Sequence, residues 1–61
     1  MEKELIRLGF RKVGAMWTKV VADIVFYCDL EGNTAVRVFG QKEDQGKKDP
    51  DKLEAWIDSF L

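Results

Sequence analysis

The feature that most constrains this chain is the alternation between Val20 and Leu30. Val20, Ala22, Ile24, Phe26, Cys28 and Leu30 are all apolar, whereas the intervening Val21, Asp23, Val25, Tyr27 and Asp29 are mixed. Side chains of a strand point alternately to its two faces, so the pattern predicts a half-buried strand with its even positions turned inward. Two flanking runs, Arg11 to Trp17 and Ala35 to Phe39, are also strand-like. The long strand is therefore expected at the centre of a three-stranded antiparallel meander, with an edge strand on each side.

Face matching supplies an expected register. A two-residue loop at Gly32-Asn33 would pair Cys28 with Arg37 and set a charge on the buried face. The preferred register pairs Leu30 with Val36 and Cys28 with Val38 inward, and Asp29 with Arg37 and Tyr27 with Phe39 outward. A slip of one residue would turn every side chain over, which is what makes the choice firm. On the other side the same reasoning pairs Trp17 with Ala22, Ala15 with Ile24 and Val13 with Phe26, leaving residues 18–21 as the turn.

Helices bracket these strands. Glu2 to Leu8 reads as a short helix with acids in its first turn, where they suit the helix dipole. Gly9 is suited to the residue just past the helix end, because it adopts positive φ readily, and Phe10 is then expected to pack on Leu5. Gly40 to Lys48 contains no apolar residue and reads as a mobile loop. Asp49-Pro50-Asp51 is a helix start, with Asp49 as N-cap and Pro50 in the first helical position. Leu53, Trp56, Ile57 and Phe60 then fall on one apolar stripe, expected to lie across the inward face of the sheet. The expected fold is α+β, in the order α-β-β-β-α, with both helices on one face and residues 1–61 forming one small domain.

A chain of 61 residues has room for one core and buries only about 60% of its unfolded surface, so its stability is marginal. One cysteine excludes an internal disulfide, and with no histidine a zinc site of the common type is not expected. Apolar packing remains, supplied by a composition that is 46% hydrophobic with two Trp and four Phe. Ten basic and eleven acidic residues argue against attachment to nucleic acid or anionic membrane by bulk charge. The opening residues lack a signal-peptide pattern, and the longest apolar run, Ile24 to Cys28, is far short of a membrane span. No tag, repeat or low-complexity tract is present in residues 2–61. A cytoplasmic location is the default expectation, consistent with the lone cysteine.

Catalytic constellations are sparse. The commonest general base is missing without histidine, and Ser59 has no evident partner. Cys28 falls among the inward residues, where a thiol behaves as a small hydrophobe. Asp23 and Asp29 are six residues apart on one strand, roughly 20 Å, too far to act as a carboxylate pair. Glu43, Asp44, Asp49 and Asp51 do not have calcium-loop spacing and are interspersed with Lys42, Lys47 and Lys48. No Gly-rich phosphate cradle exists. The expectation is no enzyme activity, no cofactor and no metal.

Binding is the more open question. In the expected register the outward face presents Lys12, Gly14, Met16, Asp23, Val25, Tyr27, Asp29, Arg37 and Phe39. Tyr27 beside Phe39, with Val25 and Met16 nearby, would form an apolar patch ringed by charge, the pattern of a contact surface. Lys12, Met16, Val25, Tyr27, Arg37 and Phe39 are therefore the candidate binding residues. The leading expectation is a non-catalytic protein-interaction module that takes another chain or a second copy, through this face or an open sheet edge. The alternative is a small nucleic-acid-binding domain using Arg11, Lys12, Arg37 and stacking on the sheet, or the Lys47-Lys48 segment on a duplex. No membrane partner is expected.

The element order helix-strand-strand-strand-helix is similar to the double-stranded-RNA-binding domain over the whole chain. That resemblance implies phosphate contacts from Lys47, Lys48 and Lys52 near the start of the second helix, where Asp49, Asp51 and Glu54 neutralise them. The segment Leu5-Ile6-Arg7-Leu8-Gly9-Phe10 also looks like the opening of HicA-type toxins, small ribonucleases of that topology. Those depend on a histidine that this sequence does not contain.

Overall fold

Three two-residue turns shape the sheet, and each is flanked by valine on its entering side. In the computed structural model, which describes all 61 residues, Val13 pairs with Met16 around Gly14-Ala15, Val21 with Ile24 around Ala22-Asp23, and Val38 with Gln41 around Phe39-Gly40. Turns this tight need positive φ to match the twist of the strands, and Gly14, Ala22, Phe39 and Gly40 adopt it. The result is a five-stranded antiparallel sheet in the order β1 (Arg11–Val13), β2 (Met16–Val21), β3 (Ile24–Cys28), β4 (Asn33–Val38) and β5 (Gln41–Lys47).

The architecture is α+β, and the expected three-stranded meander is corrected to five strands. The run from Arg11 to Trp17 is not one strand, because Gly14-Ala15 folds it back. Residues 18–21 are not a turn but the body of β2, and the run from Val20 to Leu30 is cut by Ala22-Asp23. The alternation reads as unbroken because β2 carries valine on both faces. Val20 faces out and is 66% exposed, while Val21 faces in and packs against the core. Leu30, expected inward, lies in the β3–β4 loop and is 52% exposed. From Ile24 to Cys28 the even positions do face inward.

The register is also corrected. Phe26 stands opposite Val36, Tyr27 opposite Ala35 and Cys28 opposite Thr34, so the pairing is shifted from the expected one while the buried faces remain matched. Asp29 sets that shift. Its carboxylate accepts hydrogen bonds from the main-chain amides of Glu31 and Asn33 and from the Asn33 side chain, all at 2.9 Å. These contacts close the loop through Gly32, whose φ of +91° favours glycine. A Cβ there would also overlap the carbonyl oxygen of Lys48.

The segment expected as a mobile loop is β5. It lacks apolar residues because it is an edge strand held by main-chain bonds to β4, with Gln45 bulging between the Thr34–Gly46 and Ala35–Asp44 pairs. On its helix side, Gln45 Oε1 accepts a 3.3 Å hydrogen bond from Trp56 Nε1.

Both helices cover the inward face. Helix α1 (Glu2–Arg7) ends as its sequence predicts: Gly9 has φ +89°, its amide donates to Ile6, and the Phe10 amide donates to Leu5. Those two bonds satisfy carbonyls that the helix end leaves open. A 3-10 turn over Pro50–Lys52 leads into helix α2 (Leu53–Asp58). Leu53, Trp56 and Ile57 are buried, with Phe60 packed at the margin. They meet Leu5, Phe10, Trp17, Phe26, Cys28 and Val36 in one core. Phe26 is its hub, making edge-to-face contacts with Trp56 at 5.3 Å and Phe60 at 5.8 Å between ring centroids, geometry that adds about 0.5–1.5 kcal/mol per pair beyond area burial. No helix is long and apolar enough to cross a membrane.

Candidate binding face

Because both helices lie on one side, the other face of the sheet has no layer over it. Directly paired residues of antiparallel strands share a face, so the register places Thr18, Tyr27, Ala35 and Asp44 in one row, with Arg11 at its β1 end. The next row holds Val20, Val25, Arg37 and Lys42. On the other side lie Val13 and Met16 at the β1 end and Asn33 and Lys47 at the β5 end.

Tyr27 occupies the middle of this face, flanked in its row by the small residues Thr18 and Ala35. Lys42 Nζ lies 4.6 Å from the Tyr27 ring centroid and Arg37 Cζ 5.8 Å from it. Each exposed cation–ring contact of this kind contributes about 0.5–1 kcal/mol. Arg37 and Lys42 are themselves directly opposed across β4 and β5. Like charges in that position destabilise a sheet, and the ring is what they share.

Basic charge is concentrated on the uncovered face. Arg11, Arg37, Lys42 and Lys47 face outward against a single carboxylate, Asp44, although the chain as a whole carries a net charge of −1. The other acids lie in the helices, on the helix side of β5, and in turns and loops. Asp29, expected to pair with Arg37 across strands, is instead committed to the β3–β4 loop. Hydrogen bonding from Asn33, and then from the loop amides, holds its carboxyl below the usual range.

Of the six candidate binding residues, Met16, Val25, Tyr27 and Arg37 share the outward face. Lys12 does not: it stands opposite Trp17 and therefore on the helix side of the β1 edge. Phe39 does not adjoin Tyr27 either. It sits at the β4–β5 hairpin tip, 86% exposed, and borders a groove of about 220 Å³ on the helix side with Val36, Val38, Gln41, Glu43 and Phe60. Lys42 and Thr18 are not among the expected contacts, and Lys47, expected to meet a duplex from a loop, stands on this face instead, because Gly40 to Lys48 is a strand without apolar residues and residues 18–21 continue β2. The available signal was Phe39-Gly40 and Gly14-Ala15, glycine-containing pairs that each follow a valine and suit two-residue turns.

Elsewhere the chemistry is quiet. Burial, and then the neighbouring Asp29 charge, pushes the Cys28 thiol up to about 11, and its Sγ donates to the Asp29 carbonyl. Such a thiol is protonated and unreactive at neutral pH. A second groove, about 330 Å³, lies between the helices and β2 and sets Arg7 and Lys19 among Glu54 and Asp58. Arg7 there already bridges Glu4 and Glu54, and the Glu4 carboxyl is held below its ordinary value chiefly by its hydrogen bond from Arg7. No three His, Cys, Asp or Glu side chains stand close enough together to hold a metal ion.

These features define a small sheet-and-helix domain with one uncovered, cationic sheet face. Comparison with protein-family models, with curated proteins and with solved structures finds no match.

Proposed function

We propose that this chain is a non-catalytic binding module whose uncovered sheet face holds an anionic partner. The observation that carries the reading is the pair Arg37 and Lys42, opposed across two strands and both set over Tyr27. A like-charge pair in that position costs stability, and a bound anion would convert the cost into attraction. Arg11 and Lys47 extend the same field to both edges of the sheet.

Self-association is the less supported form of this reading. Two copies packed face to face about a two-fold axis would oppose the same four cations. Strand addition is impeded at both edges, since β1 has three residues and β5 is charged and bulged. A different molecule with an acidic surface is the better fit.

The test is a titration with heparin as a generic polyanion, followed by amide and side-chain NMR shifts. The expected shifts cluster at Arg11, Thr18, Tyr27, Arg37 and Lys42, and the Arg37→Glu/Lys42→Glu variant loses them while keeping the wild-type fold. Shifts centred on α2, or none at all, would overturn the proposal.

A further inference from the structure

We infer that the anionic partner is single-stranded nucleic acid, laid across the sheet with a base on Tyr27; this inference rests on the reading of the uncovered face given above. A charged protein surface and a nucleic-acid strand would both satisfy Arg37 and Lys42. They differ in what they do for Tyr27. Its row neighbours, Thr18 and Ala35, are too short to cover a ring at the centre of the face. The carboxylates of an acidic protein patch would satisfy the cations but do not themselves stack on the ring. A single strand offers both, alternating phosphates with planar bases at every step.

The surrounding positions suit such a path. Arg11 stands at the β1 end of the Tyr27 row and Lys47 lies on β5, four strand gaps away, a width of about 19 Å at roughly 4.8 Å per gap. The strand would enter over one cation, cross the ring and leave over the other. Lys42 has a long flexible side chain and can move from the ring to a phosphate, because base stacking on an aromatic outweighs an exposed cation–ring contact. A duplex keeps its bases stacked inside and gives Tyr27 nothing. The helix side, where acids and bases are nearly balanced, offers a strand no comparable excess of cations.

The experiment measures fluorescence anisotropy of labelled oligothymidylate and oligouridylate of about eight nucleotides, with a hairpin duplex and polyglutamate as comparisons, at low salt. Binding of the single strands above both comparisons is expected, with an upfield shift of the Tyr27 ring protons in the wild-type complex. Tyr27→Phe is expected to bind as wild type and Tyr27→Leu about tenfold more weakly. If polyglutamate binds as well as the oligonucleotides and Tyr27→Leu is unchanged, the nucleic-acid inference fails while the anion-binding face stands. If neither polymer binds and heparin shifts nothing, both fail together.

Discussion

The ammonium of Lys19 donates a 2.7 Å hydrogen bond to the carbonyl oxygen of Leu8. Lys19 lies on the helix side of β2, opposite Phe26, so a charged residue in a core-facing position is explained by what it reaches. It ties the last turn of α1 to the sheet, where a helix leaves carbonyls unpaired and a positive charge is favourable. Lys19→Met keeps the aliphatic stem and removes the donor. The expected loss is about 1–2 kcal/mol in urea unfolding, with faster amide exchange at Gly9 and Phe10 and unchanged protection in β3. Unaltered exchange at those two amides would show that water serves Leu8 equally well.

Ala22 and Gly14 stand at the same position of two successive hairpins, with φ of +53° and +62°. Glycine adopts that conformation freely, whereas a residue with a Cβ is strained there by about 1–3 kcal/mol. Ala22→Gly is therefore expected to stabilise by about 0.5–1 kcal/mol, the relief of strain exceeding the extra freedom glycine gives the unfolded chain. Thermal melting checks it, and a lower midpoint would contradict it.

Asp29 makes part of the stability acid-sensitive. Its carboxyl titrates lower in the folded chain than in the unfolded one, so it stabilises fully above the unfolded value, near 4. That contribution is lost as pH falls through the lower, folded value. Wild type is thus expected to weaken below about pH 4, and Asp29→Ala to be less stable at neutral pH with a shallower acid decline. Parallel acid limbs for the two proteins, measured by urea midpoint against pH, would remove Asp29 from this role.

Arg37→Thr separates binding from stability. It removes one of two opposed cations and sets a β-branched residue in β4, with Lys42 left over the Tyr27 ring. An unfolding free energy unchanged or raised by up to about 1 kcal/mol in urea titration is expected together with weaker polyanion binding. Loss of stability and binding together would mean that the pair supports the fold.

The buried face was readable where burial alone sets it. Ile24, Phe26 and Cys28 face inward, and Leu53, Trp56, Ile57 and Phe60 form the covering stripe, because removing apolar surface from water imposes a period on each element. Gly9 and Phe10 were legible for a comparable reason, since only a few residue types end a helix in that way. Strand number was less legible: Val20 and Val21 made two faces look like one, and β5 is held by main-chain bonds that leave no apolar pattern.

By itself, the sequence determined which side chains of β3 and α2 must leave water, since that depends on their own spacing and chemistry. Tertiary structure alone decided which strand meets which, and so brought Arg37 and Lys42 over Tyr27 and gathered four cations of a nearly neutral chain on one sheet face. The physical reason is that facing direction repeats every two residues within a strand. Pairing, by contrast, depends on turn geometry and on hydrogen bonds between segments distant in the chain.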